Sequence, residues 1–195
     1  MAVILASTST IRQQLLRNAG VVFTVVHPLV DEALLKSQNP SAAPEHLASL
    51  LAAAKATTVS RSHSTAYVIG ADQVLALDGK SYDKPRNMEE AGSHLLSLRG
   101  KTHQLFSVVC CARNGHLQWR HRGRASLTMR NFPTEFLENY LAQIGEDATT
   151  SVGAYKLEGR GVQLFSAIAG DHFTILGLPL LPLLDFLRSS GELAA

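Results

Sequence analysis

The chain has 195 residues, of which 46% are hydrophobic and 17% charged, with 18 Lys+Arg against 16 Asp+Glu. That length supports one domain with a substantial core, and residues 1–195 are read as one domain. A formal charge of +2 is too small for a general nucleic-acid binder, and no apolar run approaches the ~20 residues of a membrane span, so neither a stable nucleic-acid partner nor a membrane is expected.

In chain order, the opening MAVILAS has no basic n-region, so no signal peptide is expected and the protein is assigned to the cytoplasm. Residues 2–5 read as an apolar strand. Ser7, Thr8, Ser9 and Thr10 then precede a helix with Ile11, Leu15 and Leu16 on one side. Arg12 falls in its first turn, where the helix N-terminus already carries about half a positive charge and unsatisfied N–H groups. Hydroxyls, free amides and a guanidinium thus collect at one spot, where a cation without a partner is unfavourable. Residues 18–20 carry a C-cap signal, and residues 21–26 (VVFTVV) read as a strand up to Pro28. Asp31 and Glu32 read as a loop, solvated if taken alone but able to complete an oxygen-rich Mg²⁺ site with Asp72. An Ala/Leu-rich helix is expected over residues 44–60, with Lys55 either snorkelling to water or facing a phosphate.

Residues 67–77 form an apolar strand interrupted by Ala71, Asp72 and Gln73. A buried carboxylate is costly unless paired, hydrogen-bonded or metal-bound. Asp72 therefore reads either as a group satisfied by backbone amides at a strand end, or as a base or metal ligand at the strand's carboxyl end, where α/β folds place ligands. Lys84 follows in a loop after the Asp78–Gly79 turn. Asn87, with Glu90 three residues on, predicts a capped helix over residues 87–98. Cys110 and Cys111 are neighbours in a strand, so they point to opposite faces and read as small core residues. The arginine-rich stretch 113–124 surrounds Asn114-Gly115, a strong two-residue hairpin signal, and reads as a solvated hairpin tip. A helix is expected over residues 134–143. Residues 151–180 hold five of the fourteen glycines, with Glu158 and Arg160 among them, and read as a long loop, either plain or functional. The final helix has Pro179 in its first turn and Arg188 in its last. The alternation of strands and helices predicts a mixed α/β fold.

The succession LAS-x-S-x-x-R-x-x-LL, VDE, an AxAKA helix, GADQV, LDG…KP, LRGKTH, GAYKLEG and GLPL resembles the Maf family of nucleoside triphosphate pyrophosphatases over nearly the whole chain. The resemblance implies an elongated α/β fold with a mixed sheet, flanking helices and a central cleft between two lobes. It also implies hydrolysis of a nucleoside triphosphate to the monophosphate and pyrophosphate with a divalent cation, Mg²⁺ or Mn²⁺, commonly in a homodimer. By position, Asp72 corresponds to the proton acceptor and a metal ligand, and Glu32 to the metal-associated acid. Ser7, Ser9 and Arg12 correspond to the phosphate-binding loop, and Lys55 and Lys84 to phosphate-facing lysines. Ile11, Gln73 and Glu158 match positions that accompany substrate choice. The pyrimidine branch typically reads SPRR, ADT and YGIQG, whereas this chain reads STIR, ADQ and YKLEG, closer to the branch that prefers 7-methyl-GTP. Thr10 stands where Pro is usual. A buried Glu158 would accept hydrogen bonds from guanine N–H groups and favour a cationic base. The alternatives are a dTTP/UTP pyrophosphatase and a non-catalytic nucleotide-binding regulator of cell division. Retention of Asp72 and Glu32 favours an enzyme, since binding alone needs no base.

Overall fold

A computed structural model describes residues 2–194. Its strands are β1 (Val3–Ala6), β2 (Thr24–Val25), β3 (Tyr67–Leu77), β4 (Lys80–Tyr82), β5 (Thr102–Arg113), β6 (His116–Met129) and β7 (Phe165–Ala169). They form one mixed sheet in the order β2-β1-β3-β5-β6-β7, with β4 added to β3. β1 runs parallel to β2 and β3, and the other pairings are antiparallel. The helices are α1 (Thr10–Asn18), α2 (Glu32–Gln38), α3 (Pro44–Arg61), α4 (Met88–Leu98), α5 (Thr134–Ile144), α6 (His172–Ile175) and α7 (Leu180–Ser189).

Both faces of β3 are covered, and nine of its eleven residues are buried, as expected for a near-continuous apolar run in a central strand. α3 crosses one face. A Cβ on Gly70 would lie 2.4 Å from the Ala52 carbonyl oxygen, so glycine there lets helix and strand approach closely. Cys110 packs toward α3 with Leu47 and Leu51, while Cys111 packs on the other face with Leu183 and Leu187 of α7. The two thiols are thus separated as their strand positions require. The β5–β6 hairpin closes on Asn114 and Gly115, both with left-handed φ (50° and 78°), as a type I′ turn demands.

Five local expectations are corrected. β2 is confined to Thr24–Val25 because β1 offers it only Ile4 and Leu5 as partners; Val22 is 89% exposed. The segment after Asp31 is helix α2, capped by the Asp31 carboxylate, which accepts from the Leu34 N–H at 2.9 Å. Residues 151–180 contain two 3₁₀ turns (Val152–Ala154 and Arg160–Leu164), β7 and α6, not one long loop. Glu90 donates its N–H to Asn87 Oδ1 (2.8 Å), but its carboxylate turns to the main-chain N–H and guanidinium of Arg86 instead of closing the capping box. Pro179 is the residue ahead of α7 and Arg188 lies in its last turn.

One irregularity positions the site. β1 pairs β3 as far as Gly70, and β4 takes over only at Leu75. Between them, residues 71–74 of β3 are paired with β5 alone, leaving a gap in the sheet beyond the carboxyl end of β1.

Candidate active site

A cavity of about 900 Å³ opens at this gap, and every residue singled out above for phosphate, metal or base lines it. At one end is the start of α1. Ser9 is its N-cap, accepting from the Arg12 N–H at 3.5 Å, and Ser7 Oγ accepts from the Ser9 N–H at 3.2 Å. The two hydroxyls therefore shape the loop that lines the cavity at the start of α1. Arg12 donates from Nε to the Gly177 carbonyl (2.9 Å) and from Nη1 to the Ala71 carbonyl (2.8 Å). These acceptors, one on the strand gap and one after α6, hold a cation at a helix N-terminus that would otherwise repel it. Burial lowers the Arg12 pKa, and the charges of Asp72 and Glu32 work against that shift.

Asp72 lies in the middle of β3, not at its end, but two residues beyond the last partner of β1. Its side chain points to the α3 face, where Lys55 donates to it at 2.5 Å and also contacts Glu32 at 2.9 Å. Lys55 is buried and does not snorkel, and the partner of Asp72 is this ammonium, not backbone amides. Burial raises the Asp72 pKa despite the opposing pull of Lys55 and Arg12. For Glu32, burial also opposes the charge, but the Lys55 hydrogen bond and the positive charges of Lys55, Lys36 and Lys84 outweigh it, so its pKa falls. Lys84 is exposed at the cavity mouth; partial desolvation, then repulsion from Arg12 and Lys55, lowers its pKa.

Gln73 points to the opposite face from Asp72, as the next residue of a strand must. Its Nε2 donates to Ser107 Oγ (2.8 Å) and to the Thr174 and Ile175 carbonyls (3.2 and 2.9 Å). The amide is thus committed to holding α6. Ile11 is half-buried on the cavity wall. At the far end, Tyr155 is buried and bonded through its hydroxyl to His103 Nε2 (2.7 Å), and Ser151 Oγ donates to the Tyr155 carbonyl at 2.7 Å. Burial pushes the His103 pKa down to about 4. Lys156 pairs with Asp147. Glu158 is exposed, contrary to the expectation of a buried carboxylate, because it stands in a turn closed by the Gly159 N–H to the Lys156 carbonyl (3.2 Å).

A family model described as "Maf-like protein" matches residues 2–190. The chain belongs to the Maf family. It is 51% identical over 191 residues to a "Nucleoside triphosphate pyrophosphatase" of Paramagnetospirillum magneticum, covering 97% of this chain and 98% of that one. It is 48% identical over 194 residues to a "7-methyl-GTP pyrophosphatase" of Rhizobium meliloti, covering 98% of each. A "Nucleoside triphosphate pyrophosphatase" of Rhodospirillum rubrum is 49% identical over 197 residues, covering 98% of this chain and 96% of its own.

Sequence reading of this Maf chain missed three features of the site. Lys36 forms an ion pair with Asp83 at the cavity mouth. It follows Glu32 by four residues, a helical spacing that would have grouped the two had α2 been recognised. The main-chain carbonyls of Thr174, Ile175 and Gly177, which fix Gln73 and Arg12, leave no trace in side-chain identity. The His103–Tyr155 pair joins residues 52 apart in the chain, and only the fold brings them together.

Proposed function

We propose that this chain hydrolyses nucleoside triphosphates to the monophosphate and pyrophosphate, with 7-methyl-GTP favoured over pyrimidine substrates. The observation that carries the reading is the cluster of Asp72, Lys55 and Glu32 facing the N-terminus of α1 and Arg12 across one cavity. The names of the relatives, pyrophosphatases acting on nucleoside triphosphates and on 7-methyl-GTP, support it.

The α1 amides, Arg12, Lys55 and Lys84 hold the phosphate oxygens. Asp72, with its pKa raised by burial, takes a proton from a water that attacks the α-phosphorus. The bond from that phosphorus to the bridging oxygen breaks, and pyrophosphate leaves. The donor set fits a divalent cation: one ammonium touches both Asp72 and Glu32, so the two carboxylates converge on a single positive charge. Among the described residues no group of three His, Cys, Asp or Glu side chains could hold a metal unaided, which suits Mg²⁺ or Mn²⁺ bound by one or two carboxylates together with substrate phosphates. When bound, such a cation supplies charge neutralisation of the triphosphate.

Base choice is assigned to Ile11, Gln73 and Glu158. Ile11 adds apolar contact, Gln73 acts by fixing α6, and Glu158 at the rim accepts from the N1–H and exocyclic amine of guanine, which uracil cannot match. A product-resolved hydrolysis screen of methylated and ordinary triphosphates tests this. The expected result is monophosphate plus pyrophosphate, with kcat/KM for 7-methyl-GTP at least about tenfold above UTP and dTTP, or roughly 1.4 kcal/mol. Release of orthophosphate, or binding without turnover, overturns the reaction. Equal efficiencies overturn the base assignment.

A further inference from the structure

β6 has a free edge. β5 pairs it from His116 to Thr128, but on the other side β7 reaches it only between Ser126 and Met129. At Gly170 the chain leaves the sheet beside Ala125, and Asp171 then caps α6. Among the described residues, no strand pairs the outer edge of residues 116–125. A shallow concavity follows this stretch, lined by Leu117, Gln118, Trp119, Arg120, His121 and Arg122. Consecutive strand residues point to opposite faces, so a concavity lined by all six runs along the edge itself.

The edge is strongly basic on one side. Arg120, Arg122 and Arg124 are exposed and share the face that carries α3, opposite Cys110, Val108 and Phe106 of β5. Arg124 lies over the Phe106 ring at 5.7 Å, and the Arg120 guanidinium sits beside the Cys110 thiol. None of the three forms an ion pair among the described residues. None of them lines the nucleotide cavity. The aromatic residue of the stretch is turned away: Trp119 stacks on Phe186 of α7 with ring centroids 5.0 Å apart. On the arginine face Phe106 lies beneath Arg124, so its ring is not an open platform for stacking nucleic-acid bases. A second copy is also a poor occupant, because antiparallel self-pairing sets arginine against arginine, and like charges directly opposite are destabilising.

We propose that the outer edge of residues 119–124 receives an extended acidic polypeptide that adds to the sheet as a strand, with carboxylates at alternate positions facing Arg120, Arg122 and Arg124. The repeat is the reason. Side chains two apart on any strand recur every ~7 Å, so alternating acids match the three arginines one to one, whereas contiguous acids fall on both faces and match at most about half. Main-chain hydrogen bonds supply affinity and the charge pattern supplies register, as in other strand-addition sites. The bulge between Cys111 and Ala112 opposite Leu117 and Trp119 limits the addition on the hairpin side.

The test uses the full chain and two short fluorescein-labelled peptides of identical composition, one with glutamate alternating with valine and threonine, the other with its glutamates contiguous. Fluorescence anisotropy should show salt-sensitive binding of the alternating peptide, at least about tenfold tighter than its isomer, and at least about tenfold weaker for Arg122→Glu, a substitution that leaves nucleotide hydrolysis unchanged. Equal binding of the two isomers, or displacement of the peptide by oligouridylate at lower concentration, overturns the proposal. Absence of peptide binding also overturns it, and self-association of Arg122→Ser in sedimentation would then assign the arginines to guarding a sheet edge against aggregation.

Discussion

At the α3 end of the cavity Lys55 touches both Asp72 and Glu32, while at the other end Glu158 stands exposed on a turn with no ion pair among the described residues. The first group is assigned above to the phosphates, which all nucleoside triphosphates share; Lys55 and Asp72 are buried and Glu32 is half-buried. A buried charge persists only with partners, so each of these residues constrains the others and Arg12 is tied to two carbonyls besides. The second group is the one proposed to read the base. Its exposed carboxylate is cheap to change, and its turn is held from behind by Tyr155 and His103. Rigid chemistry and adjustable recognition are thus divided between a paired interior and an exposed rim.

The sharpest break of that division is Asp72→Asn. It should lower kcat by about 10²-fold or more for every base alike, with the circular dichroism of the fold retained. In the wild type, activity should fall as pH drops through the Asp72 pKa, and this limb of the kcat/KM profile should lie above the ordinary aspartate value of about 3.9, because burial raises it. Near-normal turnover of the variant would remove Asp72 from the chemistry.

His103 probes the support behind the rim. Its pKa falls to about 4 in the folded chain, against about 6.5 for an unperturbed histidine. A depressed histidine contributes stability above the unfolded pKa and loses it as pH falls, because the unfolded chain binds the proton more readily. Unfolding free energy should therefore decline by about 1 kcal/mol per pH unit between about pH 6 and pH 4.5. His103→Gln should flatten that slope in urea titrations. An unchanged slope would assign the acid sensitivity to other groups.

The smallest expected effect is at the rim itself. Glu158→Gln should narrow the ratio of 7-methyl-GTP to UTP efficiencies by up to about tenfold without changing thermal stability, and further when combined with Ile11→Arg and Gln73→Thr. The Gln73 substitution should also cost stability, since it releases the carbonyls of Thr174 and Ile175. Steady-state kinetics on both substrates, with melting temperatures, separate the two contributions; a ratio unmoved in the triple variant would mean that other residues read the base.

Much of what local chemistry decides was legible in the amino-acid sequence alone. Periodicity and caps determined α1 and α4, Ala/Leu composition determined α3, Asn114-Gly115 determined the hairpin, strand alternation separated Cys110 from Cys111, and the motif order pointed to the residues that share the cavity. α2 escaped because it has no buried residue and so no apolar stripe to read, and β7 and α6 escaped because glycines interrupt any period in residues 151–180. Only the tertiary structure decided how the charges pair. Lys55 meets Asp72 because Gly70 lets α3 sit close on β3, Arg12 finds its carbonyls 59 and 165 residues away in the chain, and the site opens where β1 stops and β4 has not begun. Pairing depends on distances between elements that are remote in the chain, and burial sets its strength; neither quantity is carried by any short stretch of residues.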